Sequence, residues 1–425
     1  MPKRQRKLGR GVAVVGAGMS KFGAFAGKDS RDLFVEAFTE MKGSVDRGLD
    51  TEDIDALYVG NFTSDLFEGQ GHLAPIMAEW VGLLPRPATR VEDACASSGA
   101  ALREGIIGIA SGLYDVVLVG GVEKMTNLPT EGVTDALACA SDTLYETPVG
   151  LTFPGIFANI ATAHMHQYGT QVEHLMRVGI KNHENGALNP KAQMNSSVME
   201  IMNSRIKRAK ERGQPEPTWH DEMDFLQDPE ANPPVAWPLR LFDCAPITDG
   251  ASCLLLVSED LAKEYTDDPI HIIGAGQGSG PPLHASETLT SLSATKYAAR
   301  QAYDMAEVKP EDIKIAEVHD CFTIAEIVAT EDIGFFEPGK GAFASAEGET
   351  TRDSDRPVNV SGGLKAKGHP VGATGAAQLQ EVWNQLRGRA NERQITHKDL
   401  ELGLTHNVGG TGGTCTVHIL ERKQG

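Results

Sequence analysis

The sequence predicts an α/β protein written twice: two related halves of alternating strands and helices, separated by a segment that belongs to neither. Three matches, in the same order in both halves, carry this expectation. "VAVVGAGMS" returns as "IHIIGAGQG", Gly16 against Gly274; "DIDALYVGNF" returns as "DIKIAEVHDCF", Asp53 against Asp312; "CASSGAAL" returns as "VGATGAAQL", Gly99 against Gly375.

The opening apolar run is a strand, and the segment after it places Leu33, Phe34, Ala37, Phe38, Met41 and Val45 on one helical face. "DIDALYVGNF" is the second strand. A third strand-like stretch ends at Cys95, where a helix with Leu102, Ile106, Ile107 and Ala110 on one face begins. "YDVVLVGGVE" closes the first series, and "ASCLLLVSEDLA" returns to the core after the insertion. The second half repeats the order with "IHIIGAGQG", the helix "ATKYAARQAYDMA", the strand "IKIAEV", the helix opened by "VGATGAAQL" and the strand "LELGLTHNVGG". Strands joined through helices imply parallel pairing, with helices covering the sheets. The boundaries are 1–124 for the first half, completed by 241–266; 125–240 for an inserted loop or lid domain, expected to lie over the first half; and 267–425 for the second half.

Composition narrows the function classes. With 40% hydrophobic and 23% charged residues in 425, a sizeable core is available, and no apolar run is long enough for a membrane span. The net charge of −19 disfavours general nucleic-acid binding. The basic start "MPKRQRKLGR" reads as a disordered tail, not a targeting signal. The six cysteines form no C-x-x-C pair, and without a secretory signal they are expected to be reduced in a cytoplasm. Neither "GAGMSKFG" nor "GAGQGSGP" completes a dinucleotide-binding glycine pattern.

Cys95 stands at a helix N-terminus, where the macrodipole favours a thiolate and Ala96, Ser97, Ser98 and Gly99 let backbone amides approach a carbonyl oxygen. Alone, the motif also fits a small buried core thiol. His369 stands two residues before Val371, the match to Cys95 in the second half. If the halves pack about a pseudo-twofold axis, both helix N-termini face one crevice, and His369 sits beside Cys95 as its base. "HDCF" brings His319 and Cys321 to the same edge, and "HNVGGTGG" adds a glycine loop.

With "EDACASSGAAL", "VVLVGGVEKMT", "LFDCAPITDGAS", "HDCF", "GGLKAKGHPVGATGAAQL" and "THNVGGTGG" in this order, the chain resembles the thiolase superfamily over essentially its whole length. Within it, the sterol-carrier-protein-type and archaeal-type enzymes are most similar. Other thiolases carry Asn-Glu-Ala-Phe at the position of His319–Phe322 and a catalytic cysteine at the position of Asn407, so Cys321 stands in for that missing thiol. The resemblance implies two βαβαβαββ halves stacked as α-β-α-β-α layers. It implies acyl transfer between acetyl-CoA, acyl-CoA and CoA, with no metal or redox cofactor. Cys95 is the nucleophile and His369 its base, the amides of Cys95 and Gly409 hold the first oxyanion, His319 with His369 holds an enolate, and Cys321 moves the α-proton. It also implies a homodimer or homotetramer, and a possible complex with 3-hydroxy-3-methylglutaryl-CoA synthase and a small bridging protein. A decarboxylating β-ketoacyl synthase and a non-catalytic acyl-CoA or lipid binder are the alternatives.

Weaker signals have ordinary readings. His164 and His166, two apart, would leave a helix on different faces and make a poor metal pair. Lys365 and Lys367 are expected to be solvated, and the run at 207–218 an exposed elaboration.

Overall fold

The computed structural model describes residues 7–423, so most of the basic start, expected to be a tail, lies outside the described residues. The first half runs β1 (Val12–Met19), α1 (Ser30–Ser44), β2 (Ala56–Gly60), α2 (Ser64–Phe67), α3 (Leu73–Trp80), β3 (Ala88–Val91), α4 (Ser97–Ala110) and β4 (Val116–Glu123). The insertion holds α5 (Thr130–Ala138), α6 (Phe153–Tyr168), α7 (Val172–Ala187), α8 (Val198–Glu211), α9 (Glu222–Gln227) and the small hairpin β5 (Pro234–Ala236) and β6 (Leu239–Arg240). After β7 (Gly250–Ser258) and α10 (Ala262–Tyr265), the second half runs β8 (Ile270–Ser279), α11 (Ser293–Ala306), β9 (Ile315–Glu317), α12 (Thr323–Asp332), α13 (Gly341–Ala346), α14 (Thr374–Leu386), β10 (Leu402–Gly409) and β11 (Thr414–Arg422).

The strand order, β3-β2-β4-β7-β1-β8-β11-β10-β9, repeats in mirror sequence about the β1–β8 junction. There Val12–Val14 pairs antiparallel with Ile270–Ile272 and joins the two half-sheets. A parallel bridge from Ala316 to Val358 occupies the place that β3 takes in the first half. The expected duplication is therefore present, with four strands matched and that single bridge in place of a fifth.

The expectation of parallel pairing holds only at the outer strands. β2–β3, β2–β4 and β9–β10 are parallel, but β7 and β11 run antiparallel to both their neighbours. The reason is connection length. β10 passes to β11 through Gly410–Gly413, far short of the dozen or so residues a parallel crossover needs. In the first half the whole insertion takes the place of that turn.

Five layers follow. Leu33, Phe34 and Met41 of α1, with Met77 of α3, close one outer face. Leu102, Ile106 and Ile109 of α4 pack with Val382, Trp383 and Leu386 of α14 between the half-sheets. Ala294, Ala298 and Ala302 of α11 cover the other outer face. Ile107, expected on the buried stripe of α4, is exposed, because the 3.6-residue period runs through Ile106 and Ile109 instead. At the centre α4 meets α14 through glycine: a Cβ on Gly375 would lie 2.6 Å from the Gly99 nitrogen. Only glycine permits this approach.

The insertion spans both halves, where the first alone was expected to carry it. α5 lies on the first half, with Val133 packed among Phe62 and Phe67, and Lys191 of the α7–α8 loop donates to the carbonyl of Met19 at 2.8 Å and pairs with Glu40 at 3.1 Å. α6 and α7 pack on the second half, where Phe157 stacks on Phe322 at 4.7 Å. α7 also sends polar groups beneath α12: Lys181 pairs with Glu326 at 3.0 Å, and Asn182 donates to Asp320 and Glu326 at 2.7 and 2.8 Å. Those carboxylates are buried, so the second half needs these donors.

Candidate active site

Two helix entries and one strand end meet at a cavity of about 310 Å³ lined by Cys95, His319, Cys321, His369 and Gly410, with Phe62, Met125, Val133 and Phe153 among its apolar walls. Cys95 lies in the 3₁₀ turn Ala94–Ala96 that leads into α4. His369 precedes the equivalent turn, Val371–Ala373, before α14. His319 and Cys321 follow β9. One metal-ligating atom each of Cys95, His319 and His369 lie within 4.8 Å of one another, and the two imidazoles meet edge to face at 5.1 Å. The sequence-predicted side chains thus come together from both halves.

The segment returning to β7 holds the backbones of Cys321 and His369 in place. The amide of Ala245 donates to the carbonyl of Cys321 at 2.9 Å, and Thr248 Oγ1 accepts from the amide of His369 at 2.9 Å. Asp249 then accepts from the amides of Met125 and Thr126 at 2.8 and 2.9 Å and pairs with buried Lys124 at 2.8 Å. This is the physical role of "LFDCAPITDGAS".

Hydrogen bonding gives the two imidazoles opposite characters. Thr374 donates its hydroxyl to the carbonyl of Pro370 at 3.0 Å, so it accepts from His369 Nδ1 at 2.7 Å. His369 Nε2 is left as a lone pair, buried and unpartnered. Asn407 Nδ2 donates to the carbonyl of Cys95 at 3.0 Å and to His319 Nδ1 at 3.2 Å. His319 Nδ1 therefore accepts, and its proton sits on Nε2.

Burial pushes the Cys95 thiol up to about 12, opposed by the Gly410 amide and reinforced by the charge of Glu123. Desolvation therefore opposes the thiolate that the helix terminus favours. Burial also lowers His369 to about 3, so it is neutral and free to accept a proton. His319 is pushed well below the usual imidazole range by burial and by His369 and His406. The Cys321 thiol is pushed well above its usual value by burial and by Cys95 and Asp320.

Gly410, next to the Gly409 expected from the sequence, is the loop glycine whose amide reaches the Cys95 sulfur. The amides on the Cys95 sulfur are its own and that of Gly410. Gly409, expected from the sequence, does not line the cavity; a Cβ there would lie 2.2 Å from the Asp93 carbonyl oxygen. Gly410 holds a left-handed φ of 60°, which turns its amide where a strand residue could not.

Asp320, between His319 and Cys321 of "HDCF", does not line the cavity. Its carboxylate accepts from the amides of Leu364 and Lys365 at 2.6 and 3.2 Å and so anchors the turn leading to His369; burial, with the charge of Glu326, raises it to about 7. Lys365 and Lys367, expected to be solvated, are both buried: Lys367 pairs with Glu317 at 3.5 Å and Lys365 lies 5.6 Å from the Phe242 ring. Their acidic partners on the strand end draw them inward. His164 is buried against Thr170 and Glu331, His166 is exposed, and neither lines the cavity. The run at 207–218 is exposed for the most part, as expected.

Sequence reasoning missed Glu123 and Thr374. Glu123 is fully buried and accepts from the amides of Phe62, Thr63 and Gly372 at 2.8, 3.1 and 3.0 Å and from Asn61 at 2.9 Å, tying the cavity wall to the turn after His369. An acidic residue ending the otherwise apolar run "VVLVGGVE" was its signal.

Residues 12–260 match the family model "Thiolase, N-terminal domain", and residues 277–422 match "Thiolase C-terminal domain-like". The chain belongs to the thiolase family. This thiolase is 46% identical to an acetyl-CoA acetyltransferase of Methanothermobacter thermautotrophicus, over 97% of its own length and 100% of the relative's. It is 30% identical to human sterol carrier protein 2, covering 96% of this thiolase but 72% of that protein. Among solved structures, human mitochondrial 3-ketoacyl-CoA thiolase in complex with CoA superposes with a TM-score of 0.67 at 20% identity, over 99% of this thiolase and 100% of that chain. The Ltp2-ChsH2(DUF35) aldolase superposes at 0.78 with 23% identity, over 99% and 100%. These two likenesses establish the fold.

Proposed function

We propose that this thiolase is an acetyl-CoA C-acyltransferase that makes or cleaves 3-oxoacyl-CoA, acetoacetyl-CoA above all, through an acyl group on Cys95. The observation that carries the reading is a buried neutral thiol beside an imidazole whose only unpartnered nitrogen is a lone pair. The name of its 46%-identical relative supports the acetyl substrate.

In the first half-reaction Cys95 sulfur attacks the thioester carbonyl as His369 Nε2 takes its proton. The amides of Cys95 and Gly410 meet the oxyanion. Collapse expels CoA thiolate, which recovers the proton from His369 and leaves an acyl-cysteine. In the second, Cys321 removes an α-proton from acetyl-CoA, and the carbanion attacks the acyl carbonyl, expelling Cys95. His319 Nε2–H is the standing donor to the enolate oxygen. His369, held as an acceptor, donates only when protonated, so the expected sharing of this role is unequal. Thiolysis runs the same steps backward, with the Cys321 thiol protonating the enolate. CoA thioesters are substrates, and these side chains carry every step.

A thiol in the cavity at Cys321 favours this reading over a decarboxylating synthase, which needs no base. Stoichiometric acetylation of Cys95 by acetyl-CoA, read by mass spectrometry, tests it; no adduct would point to a lipid-binding role. Carbon dioxide release from malonyl-CoA coupled to condensation would instead favour the synthase.

We further infer, from the family resemblance, that this thiolase assembles with a 3-hydroxy-3-methylglutaryl-CoA synthase and a small bridging protein; failure of the three chains to co-purify would refute it. The exposed Trp80 and Leu84 beside edge strand β3 support a homodimer or homotetramer, to be read by light scattering. Six free cysteines support a cytoplasmic setting, and no helix among the described residues is long and apolar enough to cross a membrane.

A further inference from the structure

We propose that Asn407 is a positioning residue that assigns His319 its role, holding the imidazole as the Nε2–H tautomer so that it faces the cavity as a donor. The proposal rests on the reading of His319 as the enolate donor. Three observations carry it. The carbonyl of Cys95 can only accept, so the Asn407 amide must turn Nδ2 toward it, at 3.0 Å. The same nitrogen is 3.2 Å from His319 Nδ1, which must then present its lone pair. The reverse orientation would set Oδ1 against the Cys95 carbonyl, two acceptors face to face. Asn407 Oδ1 is itself buried with no partner, so the amide is held by what its nitrogen does.

The second imidazole is set the opposite way. Thr374 fixes His369 with Nδ1 protonated and Nε2 bare. One donor and one acceptor thus face the same substrate, and the difference between them lies in two neighbours that touch no reacting atom. Asn407 also ties the tautomer of His319 to the backbone of the nucleophile, 312 positions away.

A further consequence concerns metal ions. A cysteine and two histidines with ligand atoms within 4.8 Å of one another suit a soft divalent cation such as Zn²⁺. Ligation needs a bare nitrogen on each ring, and His319 has spent its lone pair on Asn407. Asn407 therefore disfavours zinc at a site otherwise composed to take it.

Long-range ¹H–¹⁵N correlation spectra of histidine-labelled protein test the proposal, with His319 assigned by its loss in His319→Gln. The wild-type ring should be protonated at Nε2 and bare at Nδ1. Asn407→Asp, whose carboxylate accepts where the amide donated, should invert it. That variant should exchange acetyl-CoA α-protons with solvent about 10²–10³-fold more slowly, as for loss of one oxyanion donor, while acylation of Cys95 falls less than about tenfold. It should also bind Zn²⁺ about 10–100-fold more tightly by titration calorimetry. A wild-type His319 protonated at Nδ1 would overturn the proposal without any variant. So would a folded Asn407→Asp protein that keeps the wild-type tautomer, or one in which both half-reactions fall equally. Failure of wild-type Cys95 to acylate would sink the acyltransferase reading instead, and leaves the spectra to decide the tautomer.

Discussion

The two halves place different chemistry at the same register. β2 in the first half corresponds to β9 in the second, so Gly60, Asn61 and Phe62 correspond to His319, Asp320 and Cys321. Gly60 pairs with Gly121 across the parallel ladder; the register that pairs Glu317 with Thr405, continued two residues, sets His319 beside Asn407. Two glycines in one half thus answer a histidine and an asparagine in the other. The space explains it. A Cβ on Gly60 would lie 2.4 Å from the Ser98 backbone, and one on Gly121 would lie 2.3 Å from the Gly372 carbonyl oxygen. On the first side of the pseudo-twofold axis the helix entries press against the sheet and shut it. On the second side the sheet stands off, and reactive side chains fill the gap. Duplication gave two equivalent edges, and glycine closed one.

The comparison can be broken at several points. The largest effect is expected from Cys321→Ala, which leaves the cavity as apolar as its Phe62 counterpart. Condensation and thiolysis should fall about 10²–10⁴-fold while acylation of Cys95 persists; equal loss of both half-reactions in stopped assays would deny Cys321 its role. Next, Gly375→Ala pushes a methyl into the α4–α14 contact and should cost about 1–3 kcal/mol of stability. Because that contact sets Cys95 against His369, acylation should slow as well, and an unchanged melting temperature with full activity would show that the close approach is dispensable.

The pH response sharpens the asymmetry. Cys321 is raised well above the usual thiol range, so at neutral pH it is protonated. Condensation needs its thiolate, whose fraction grows about tenfold per pH unit below the pKa, so the rate of condensation should climb from neutral to alkaline pH, and Cys321→Ala should lose that slope. The smallest effect belongs to Ala94, which holds a φ of 51° one residue before Cys95, where the second half has Pro370 at −70°. Ala94→Gly relieves about 1–2 kcal/mol of left-handed strain but adds about 0.5–1 kcal/mol of chain entropy, so denaturant unfolding should shift by less than about 1 kcal/mol.

Much of this was legible in the chain. The duplication, the helix faces and the convergence of Cys95, His319, Cys321 and His369 follow from repeated local patterns, because periodicity and glycine turns are properties of neighbouring residues. Other features were not legible. The antiparallel β7 depends on which strand the chain rejoins after the insertion. The seat of α6 and α7 depends on buried carboxylates of the other half needing donors. The inward turn of Lys365 and Lys367 depends on acids on the β9 end, some fifty residues earlier in the chain.

The sequence by itself determined which reactive atoms the molecule owns and the order in which its two halves present them. Tertiary structure decided their states. Burial raised the Cys95 thiol and lowered the His369 imidazole, and Thr374 and Asn407 made one imidazole an acceptor and the other a donor. Solvation and hydrogen-bond partners arise only when distant segments exclude water together, and no local pattern encodes them.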